Sequence, residues 1–162
     1  MEELKYTHAK GFEPVYSKES RVLILGSFPS VKSRKIDFYY GNPQNRFWRT
    51  VCGFFEESVP ETTAGKIEFL HRHRIALWDV ITECDIVGSS DASITNEKIA
   101  DVPAVLRASN IDKILCNGNK SYELLIKYFP SLSEKVVKLP STSPANPRFS
   151  SAVWEEALGA LE

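Results

Sequence analysis

The sequence predicts an α/β fold in which helices pack on a four-stranded parallel sheet. Four short apolar segments are nearly continuous rather than alternating, which is typical of strands buried on both faces. The segments between them have apolar residues at helical spacing, and this alternation of strand and helix favours a parallel sheet with right-handed crossovers. The predicted strands are Val22–Leu25, Ile75–Val80, Ile111–Cys116 and Val136–Leu139.

Helices are predicted between the strands from apolar spacing and from end signals. Asp101 followed by Pro103 is typical of a helix start. Pro130 ends the helix predicted over Ser121–Phe129. Further helices are predicted from Phe47, from near Thr63 and from about Ser151, the last with a buried side formed by Val153, Trp154, Ala157, Leu158 and Leu161.

The composition is that of an ordinary globular protein, and we expect a single domain over residues 1–162. Hydrophobic residues make up 43% of the chain and charged residues 25%, which excludes a disordered chain, a collagen-like fibre and a coiled coil. No apolar run reaches the roughly 18 residues that a membrane helix needs, and the first ten residues do not resemble a signal peptide. We therefore expect a cytoplasmic protein with no membrane partner.

The cysteines predict neither a metal site nor a disulfide framework. Cys52, Cys84 and Cys116 are too far apart for the CxxC-type clustering of a metal or iron–sulfur clip. An odd number of cysteines in a chain without an export signal favours reduced thiols in the cytoplasm. We therefore expect no metal, no iron–sulfur cluster and no other cofactor.

Ligands of parallel α/β folds bind beyond the carboxyl ends of the strands, so functional residues are expected in the segments that follow the strands. The first begins with Gly26-Ser27-Phe28-Pro29-Ser30 and continues to Trp48. Gly26 lets a ligand approach the backbone closely, and Pro29 stiffens the turn. The aromatic residues of 38–40, followed by amides and an arginine, favour a site that grips a flat ring.

The second segment, Leu139–Arg148, has three prolines and three hydroxyl side chains in ten residues. Hydroxyls and free backbone amides bind phosphates, and the rigidity of the prolines reduces the entropy that is lost on binding. This segment therefore predicts a phosphate-binding loop.

The net charge hides a local excess of basic residues. The chain has 20 Lys and Arg against 21 Asp and Glu, a balance that by itself argues against a nucleic-acid partner. Residues 30–50 nevertheless contain five basic side chains and only one acid, Asp37. Basic residues beside an aromatic and amide cluster favour phosphate binding around a base-recognition pocket. They are Lys32, Arg34, Lys35, Arg46 and Arg49.

At these segments, over about residues 12–155, the sequence resembles the uracil-DNA glycosylase superfamily, and within it the hypoxanthine-DNA glycosylases. The second motif, Leu-Pro-Ser-Thr-Ser-Pro-Ala-Asn, is complete at Leu139–Asn146. Trp78-Asp79-Val80 and Gly88–Asp91 also resemble this branch. The resemblance implies a three-layer α/β/α sandwich that removes a deaminated base from damaged DNA. The first motif matches at Gly26, Ser27, Pro29, Tyr39, Tyr40, Pro43, Asn45, Phe47 and Trp48.

The resemblance also implies roles for individual residues. Phe28 stands where most branches carry the acid or amide that positions the attacking water, and the hypoxanthine branch implies Asn45 as the catalytic residue instead. Asp79 stands where many members read the edge of the base. The implied base-binding residues are Gly26, Ser27, Phe28, Tyr40, Phe47 and Asp79, with Phe38 and Tyr39 as further stacking candidates. Two alternatives stay open: Phe47 also fits the apolar core face of its predicted helix, and Asp79 could equally be a helix cap or a salt-bridge partner. The implied DNA-binding residues are Pro29, Ser30, Arg46, Ser141, Thr142, Ser143, Pro144, Ala145 and Asn146.

Two alternatives remain open at this point. The chain could be a uracil- or mismatch-specific glycosylase, or a catalytically inactive α/β module that binds DNA or nucleotides, because the first motif lacks its acid. Damaged DNA is the expected partner, and we expect a monomer with monofunctional activity, since no lysine is placed to form a Schiff base.

Overall fold

A computed structural model describes residues 5–160 and contains two sheets and six α-helices in that range. The strands are β1 Thr7–Lys10, β2 Val22–Gly26, β3 Ile75–Asp79, β4 Ile81–Ile86, β5 Thr95–Ile99, β6 Lys113–Asn117 and β7 Val136–Leu139. The helices are α1 Val31–Ile36, α2 Phe47–Phe54, α3 Thr63–Arg72, α4 Val102–Arg107, α5 Asn119–Tyr128 and α6 Ser151–Gly159.

The parallel sheet predicted from the four apolar runs is confirmed. Its strand order is β3-β2-β6-β7, with every neighbouring pair parallel. Leu23, Ile24 and Leu25 of β2 are completely buried, because β2 is a central strand and residues on both of its faces pack into apolar clusters. This explains why the strand reads as a continuous apolar run rather than an alternating one. All four strands end at one edge, and the loops that follow them meet there.

A second sheet, of three antiparallel strands in the order β1-β4-β5, is not predicted by the sequence. No loop follows β3, because the chain passes through the single residue Val80 directly into β4. The strands of this sheet are short and largely polar, as in the sequence TNEKI of β5. Half-exposed polar strands of this kind give no apolar run, and only pairing with neighbours defines them.

Most predicted helix starts are confirmed. Asp101 caps α4 by accepting a hydrogen bond from the backbone N–H of Ala104, and Thr62 caps α3 in the same way from Gly65. The six-residue helix α1 is not predicted from the sequence, because it buries only Ser33 and has no apolar stripe. Its one signal is Ser30, whose hydroxyl caps the helix by accepting the backbone N–H of Ser33. On α6 Trp154 and Leu158 are buried as predicted, but Val153 is exposed. Leu161, also assigned to that face, lies outside the described residues.

An aromatic cluster holds α2 and α6 against the face of the parallel sheet. Phe47 and Trp154 are completely buried and meet edge to face, with their ring centroids 6.1 Å apart. The indole N–H of Trp154 donates a hydrogen bond to the carbonyl oxygen of Pro140, at 2.8 Å. The last helix is therefore tied to the start of the loop that follows β7.

The described residues contain no helix that could span a membrane, no disulfide and no metal-binding group. No helix within residues 5–160 is long and apolar enough to cross a membrane. Cys52, Cys84 and Cys116 are buried and unpaired. The same range holds no group of three or more His, Cys, Asp or Glu side chains arranged to bind a metal ion.

Replacing Trp154 with alanine is expected to lower the free energy of unfolding by about 3–5 kcal/mol, because it opens a cavity in the aromatic cluster and leaves the Pro140 carbonyl without its donor. Val153→Ala is the matched control in the same helix, since Val153 is 41% exposed and should change stability by less than about 0.5 kcal/mol. Both values follow from urea unfolding curves. Equal effects of the two substitutions would contradict this packing.

Candidate active site

A cavity of about 290 Å³ opens at the edge where the parallel strands end. It brings together the loop after β2, which we call the first loop (residues 27–46), and the loop after β7, the second loop (residues 140–150). Thirteen of the residues implied by the resemblance line it: Gly26, Ser27, Phe28, Pro29, Ser30, Tyr40, Asn45, Asp79, Ser141, Thr142, Ser143, Pro144 and Ala145. A wider depression of about 460 Å³ lies at the opposite, amino ends of the strands, and none of the implied site residues lines it.

The floor of the cavity carries two buried polar groups with no partner among the described residues, the Oδ2 atom of Asp79 and the hydroxyl of Tyr40. Both side chains converge beside Gly26. A Cβ atom at Gly26 would lie 2.5 Å from Asp79 Oδ1 and 3.1 Å from the Tyr40 hydroxyl, so a larger residue there would displace the Asp79 carboxyl group. Buried polar atoms without partners are costly in proteins, and these two are available to a ligand in the cavity.

The carboxyl group of Asp79 has an unusual protonation equilibrium. Its side chain is only 4% exposed, and burial, followed by the nearby charge of Asp91, raises its pKa to about 7. Burial and the charge of Asp79 also raise the pKa of Tyr40 far above its usual range, against a smaller lowering by Asn117. Tyr40 therefore stays a hydrogen-bond donor at neutral pH, whereas Asp79 exchanges its proton there.

Tyr40 is held in place by its backbone and by the aromatic cluster. It has a φ of +53°, a left-handed conformation that is costly for a bulky residue and that requires support from its surroundings. Its ring stacks on Phe47, with centroids 4.1 Å apart. The next residue, Gly41, donates its backbone N–H to the hydroxyl oxygen of the buried Ser33.

Asn45 lies just before α2 and lines the cavity. Its side-chain oxygen accepts a hydrogen bond from the backbone N–H of Phe47, at 2.8 Å. This contact fixes the direction of the amide at the start of the helix. An amide oxygen has two lone pairs, so one remains for a water molecule or a ligand.

The second loop is held by side-chain contacts from β6 and from within the loop. The amide of Asn117 pairs with Thr142 twice, donating to its hydroxyl and accepting from its backbone N–H, both at 2.9 Å. Within the loop, Asn146 donates to the carbonyl of Ser141, and the Ser143 hydroxyl accepts the N–H of Ala145. The loop is therefore rigid before any ligand arrives.

Arg46 has a different position from the one its DNA-binding assignment implies. Its guanidinium does not line the cavity but donates to the carbonyl oxygens of Ser143 and Asn146, at 2.5 and 2.8 Å, and packs over the ring of Phe149. Its backbone N–H donates to the carbonyl of Thr142. These contacts make Arg46 the residue that joins the two loops.

Some residues expected to stack on a base belong to the core instead. Phe47 is completely buried, and Phe38 is 6% exposed and stacks on Trp48; neither lines the cavity. Phe47 lies on the apolar face of α2, and the ring of Tyr40 lies between it and the cavity. Tyr39 borders the cavity but is almost fully buried, and its hydroxyl donates to the carbonyl of Glu13.

The connection between β4 and β5 forms a wall of the cavity to which the sequence assigns no role. Asp91 and Ser89 line the cavity from this side. The hydroxyl of Ser27 donates to Asp91 at 2.9 Å, and the backbone N–H of Val31 donates to Ser89. The resemblance of Gly88–Asp91 to the hypoxanthine branch is the sequence signal that could have indicated this wall. The strands on either side of it have no apolar run, so the sequence does not place it near the cavity.

The surface beside the cavity keeps part of the predicted basic character. Lys32 and Lys35 on α1 and Arg49 on α2 are exposed. Arg34, in contrast, donates to the carbonyl of Gly88 and packs near the ring of Phe28. The exposed cations are available for phosphates, while Arg34 and Arg46 hold loops together.

Gly26→Ala is expected to destabilise the protein by about 1–3 kcal/mol, because its methyl group would overlap the Asp79 carboxyl group. Gly53→Ala is the matched control: Gly53 lies in α2, where an added methyl group would meet nothing within 4 Å, and the change should raise stability by up to about 1 kcal/mol. Denaturant unfolding measures both. If Gly26→Ala stabilised the protein, the added methyl group would not overlap the Asp79 carboxyl group, and this packing of the floor would be wrong.

Asp79→Asn is expected to stabilise the protein more at pH 8 than at pH 4. The folded state holds the Asp79 proton up to about pH 7, whereas the unfolded chain releases it near pH 4, so this group lowers stability progressively as the pH rises from about 4 to 7. Removing the charge should recover roughly 4 kcal/mol at pH 8 relative to pH 4. Asp112→Asn, at an exposed carboxyl group, is the control, and a pH-independent gain from Asp79→Asn would contradict the assignment.

Comparison with known proteins places this site in a family. The sequence profile described as the Uracil DNA glycosylase superfamily matches residues 13–162. A protein from Methanosarcina acetivorans named Hypoxanthine DNA glycosylase is 36% identical over 153 residues, which cover 90% of this chain and 95% of the relative. One of the same name from Methanosarcina barkeri is 34% identical over 144 residues, which cover 86% and 89%.

A solved structure agrees with the sequence relatives. The solution NMR structure of a protein from Methanosarcina acetivorans, described as a candidate uracil DNA glycosylase, superposes with a TM-score of 0.84 at 34% identity and covers 96% of this chain and 99% of its own. The fold, both motifs and the profile match thus agree, and the chain belongs to the uracil-DNA glycosylase superfamily.

Proposed function

We propose that the protein is a DNA glycosylase of base-excision repair that hydrolyses the N-glycosidic bond of hypoxanthine and leaves an abasic site. The observation that favours a deaminated base over adenine is the pair of unpartnered polar groups on the cavity floor, Asp79 Oδ2 and the Tyr40 hydroxyl. The names of the relatives from the two Methanosarcina species support the same substrate.

The floor is complementary to the edge of a deaminated base. Hypoxanthine presents an N1–H donor beside the O6 acceptor. An ionised Asp79 accepts the N1–H, and Tyr40 donates to O6. Adenine has the opposite pattern, an amino donor beside an unprotonated N1, so its N1 would face a carboxylate and its amino group would face a donor. A buried mismatch of this kind is strongly rejected.

The target nucleotide must leave the DNA stack to reach this floor. Extrusion costs a few kcal/mol, and less for a mispaired base such as hypoxanthine. Stacking on an aromatic ring returns roughly 1–3 kcal/mol. Three aromatic residues of the first loop line the cavity and can stack on the base: Phe28, Tyr40 and the largely buried Tyr39.

Asn45 positions the attacking water in this mechanism. Its free lone pair accepts a hydrogen bond from the water, and its carbonyl dipole favours the positive charge that develops on the sugar. The C1′–N9 bond breaks with its electron pair leaving on the base. The water oxygen then bonds to C1′, and the proton that the water gives up ends on the released hypoxanthine.

The second loop holds the DNA strand around the extruded nucleotide. Ser141 and Ser143 supply hydroxyls and backbone groups for the flanking phosphates. Thr142, which was also assigned to DNA binding, is buried and bonded to Asn117, so it holds the loop instead. Pro144 and Ala145 are exposed at the tip of the loop, where they would enter the gap left by the base. Ala145 is small, so it fills this gap only in part.

The protein acts as a monofunctional enzyme in this proposal. Among the described residues no lysine lines the cavity, so no amine is placed to form a Schiff base with the sugar and cleave the strand. We infer that it works as a monomer in the cytoplasm, where its three buried thiols stay reduced.

Uracil is the second candidate substrate, because its N3–H and adjacent carbonyl groups present the same donor and acceptor types to Asp79 and Tyr40. Oligonucleotides that carry a single inosine or uracil nucleotide, incubated with the protein and then cleaved with alkali at abasic sites, distinguish the two bases. Faster release from inosine supports the proposal. Equal or faster release from uracil assigns the second substrate, and no product from either leaves a binding module.

Asn45→Ala is expected to slow single-turnover excision at least about 100-fold, because the water loses its acceptor. Asn45→Asp is the matched control, since a carboxylate keeps the acceptor and the contact to the N–H of Phe47 and should retain activity. Quantified abasic product at saturating enzyme measures both. Full activity of Asn45→Ala would exclude Asn45 as the residue that positions the water.

A further inference from the structure

The lining of the cavity is suited to a positively charged sugar rather than to a departing anion. Two carboxyl groups, those of Asp79 and Asp91, line it, and no lysine, arginine or histidine of the described residues does. The proposed reaction develops positive charge on the deoxyribose as the bond to the base breaks. A carboxylate beside that sugar stabilises it far more strongly than an amide dipole.

The first loop does not supply this negative charge. Phe28 is apolar and 9% exposed. Asn45 is neutral, so its side-chain oxygen supplies only the partial charge of an amide dipole. Asp79 lies on the floor, where the edge of the base is read. The base enters the cavity first and the sugar stays nearer the mouth, so a group at the mouth is required.

Asp91 meets this requirement. It is exposed at the rim of the cavity, at the start of a short 3-10 helix in the β4–β5 connection. The hydroxyl of Ser27 donates to its Oδ1 atom at 2.9 Å. Among the described residues no side chain donates a hydrogen bond to its Oδ2 atom, so that oxygen is available to the substrate.

The segment that carries Asp91 is anchored to the first loop and to α1. Besides the contact with Ser27, Ser89 accepts the backbone N–H of Val31, and the carbonyl of Gly88 accepts from Arg34, both at 2.9 Å. Three contacts over four residues fix this wall of the cavity. The carboxylate is thus preorganised and needs no rearrangement during the reaction.

We propose that Asp91 is a second catalytic residue, whose carboxylate stabilises the oxocarbenium-like sugar in place of the acid that the first loop lacks. The inference rests on the proposed glycosylase function and holds for hypoxanthine and uracil alike. The groups that face Asp91 are Ser27 from the first loop, Asp79 from β3 and Lys120 from α5.

Asp91→Asn tests this role, because asparagine keeps the oxygen that accepts from Ser27 and removes only the charge. Single-turnover excision from an inosine duplex should fall about 100-fold at every pH from 6 to 9. Affinity for the same duplex should stay unchanged or improve, because the substitution removes a negative charge that repels the DNA phosphates. Glu97→Gln on β5 is the matched control outside the cavity, with wild-type rates expected.

The pH range separates this role from an indirect one through Asp79. If Asp91 acted only by raising the pKa of Asp79, Asp91→Asn would reach the wild-type rate at pH 9, and that result would overturn the inference. Rates within twofold of wild type throughout would overturn it as well. In the same assay, failure of the wild-type protein on both inosine and uracil would overturn the proposed function and this inference together.

Discussion

Asn117 and Arg46 hold the second loop from two sides, one from the end of β6 and the other from the start of α2. Asn117 pairs with Thr142 through two hydrogen bonds, and Arg46 joins Thr142, Ser143 and Asn146. Because Arg46 follows Asn45 in the chain, the same contacts set the distance between the proposed catalytic amide and the phosphate-binding loop. Polar contacts of fixed geometry therefore determine the shape of the site, while the apolar core determines only that the two loops meet.

The floor of the cavity carries a stability cost that its function explains. Asp79 and the Tyr40 hydroxyl are buried without partners among the described residues, and Tyr40 has a left-handed backbone. Each feature is unfavourable in the free protein and requires support from the surrounding structure, which the stacking of Tyr40 on Phe47 supplies for the backbone of Tyr40. A base with the matching edge would satisfy both groups, so the discrimination is present before the substrate binds.

Much of the fold could be predicted from the sequence, for a clear physical reason. A strand buried on both faces is apolar at nearly every position, as Val22–Leu25 is. The other three runs are mostly apolar, with charged residues at Asp79, Asp112, Lys113 and Lys138. Helices with an apolar stripe or a cap, such as those at Phe47, Thr63 and Asp101, are equally visible. The sheet β1-β4-β5 and the helix α1 are not, because their short segments are largely polar and only their partners define them.

The sequence by itself determined the parallel sheet, the two motifs and the local basic character, since these depend on residue type and spacing along the chain. The tertiary structure decided which of those residues face the cavity. Phe47 lies in the core, because it belongs to the apolar face of its helix. The guanidinium of Arg46 donates to carbonyl groups of the second loop rather than facing the cavity. The motif alone assigns both side chains to the site. The tertiary structure also places Asp91 at the mouth of the site, in the connection between two strands that the sequence does not predict. It buries Asp79 deeply enough to raise its pKa to about 7.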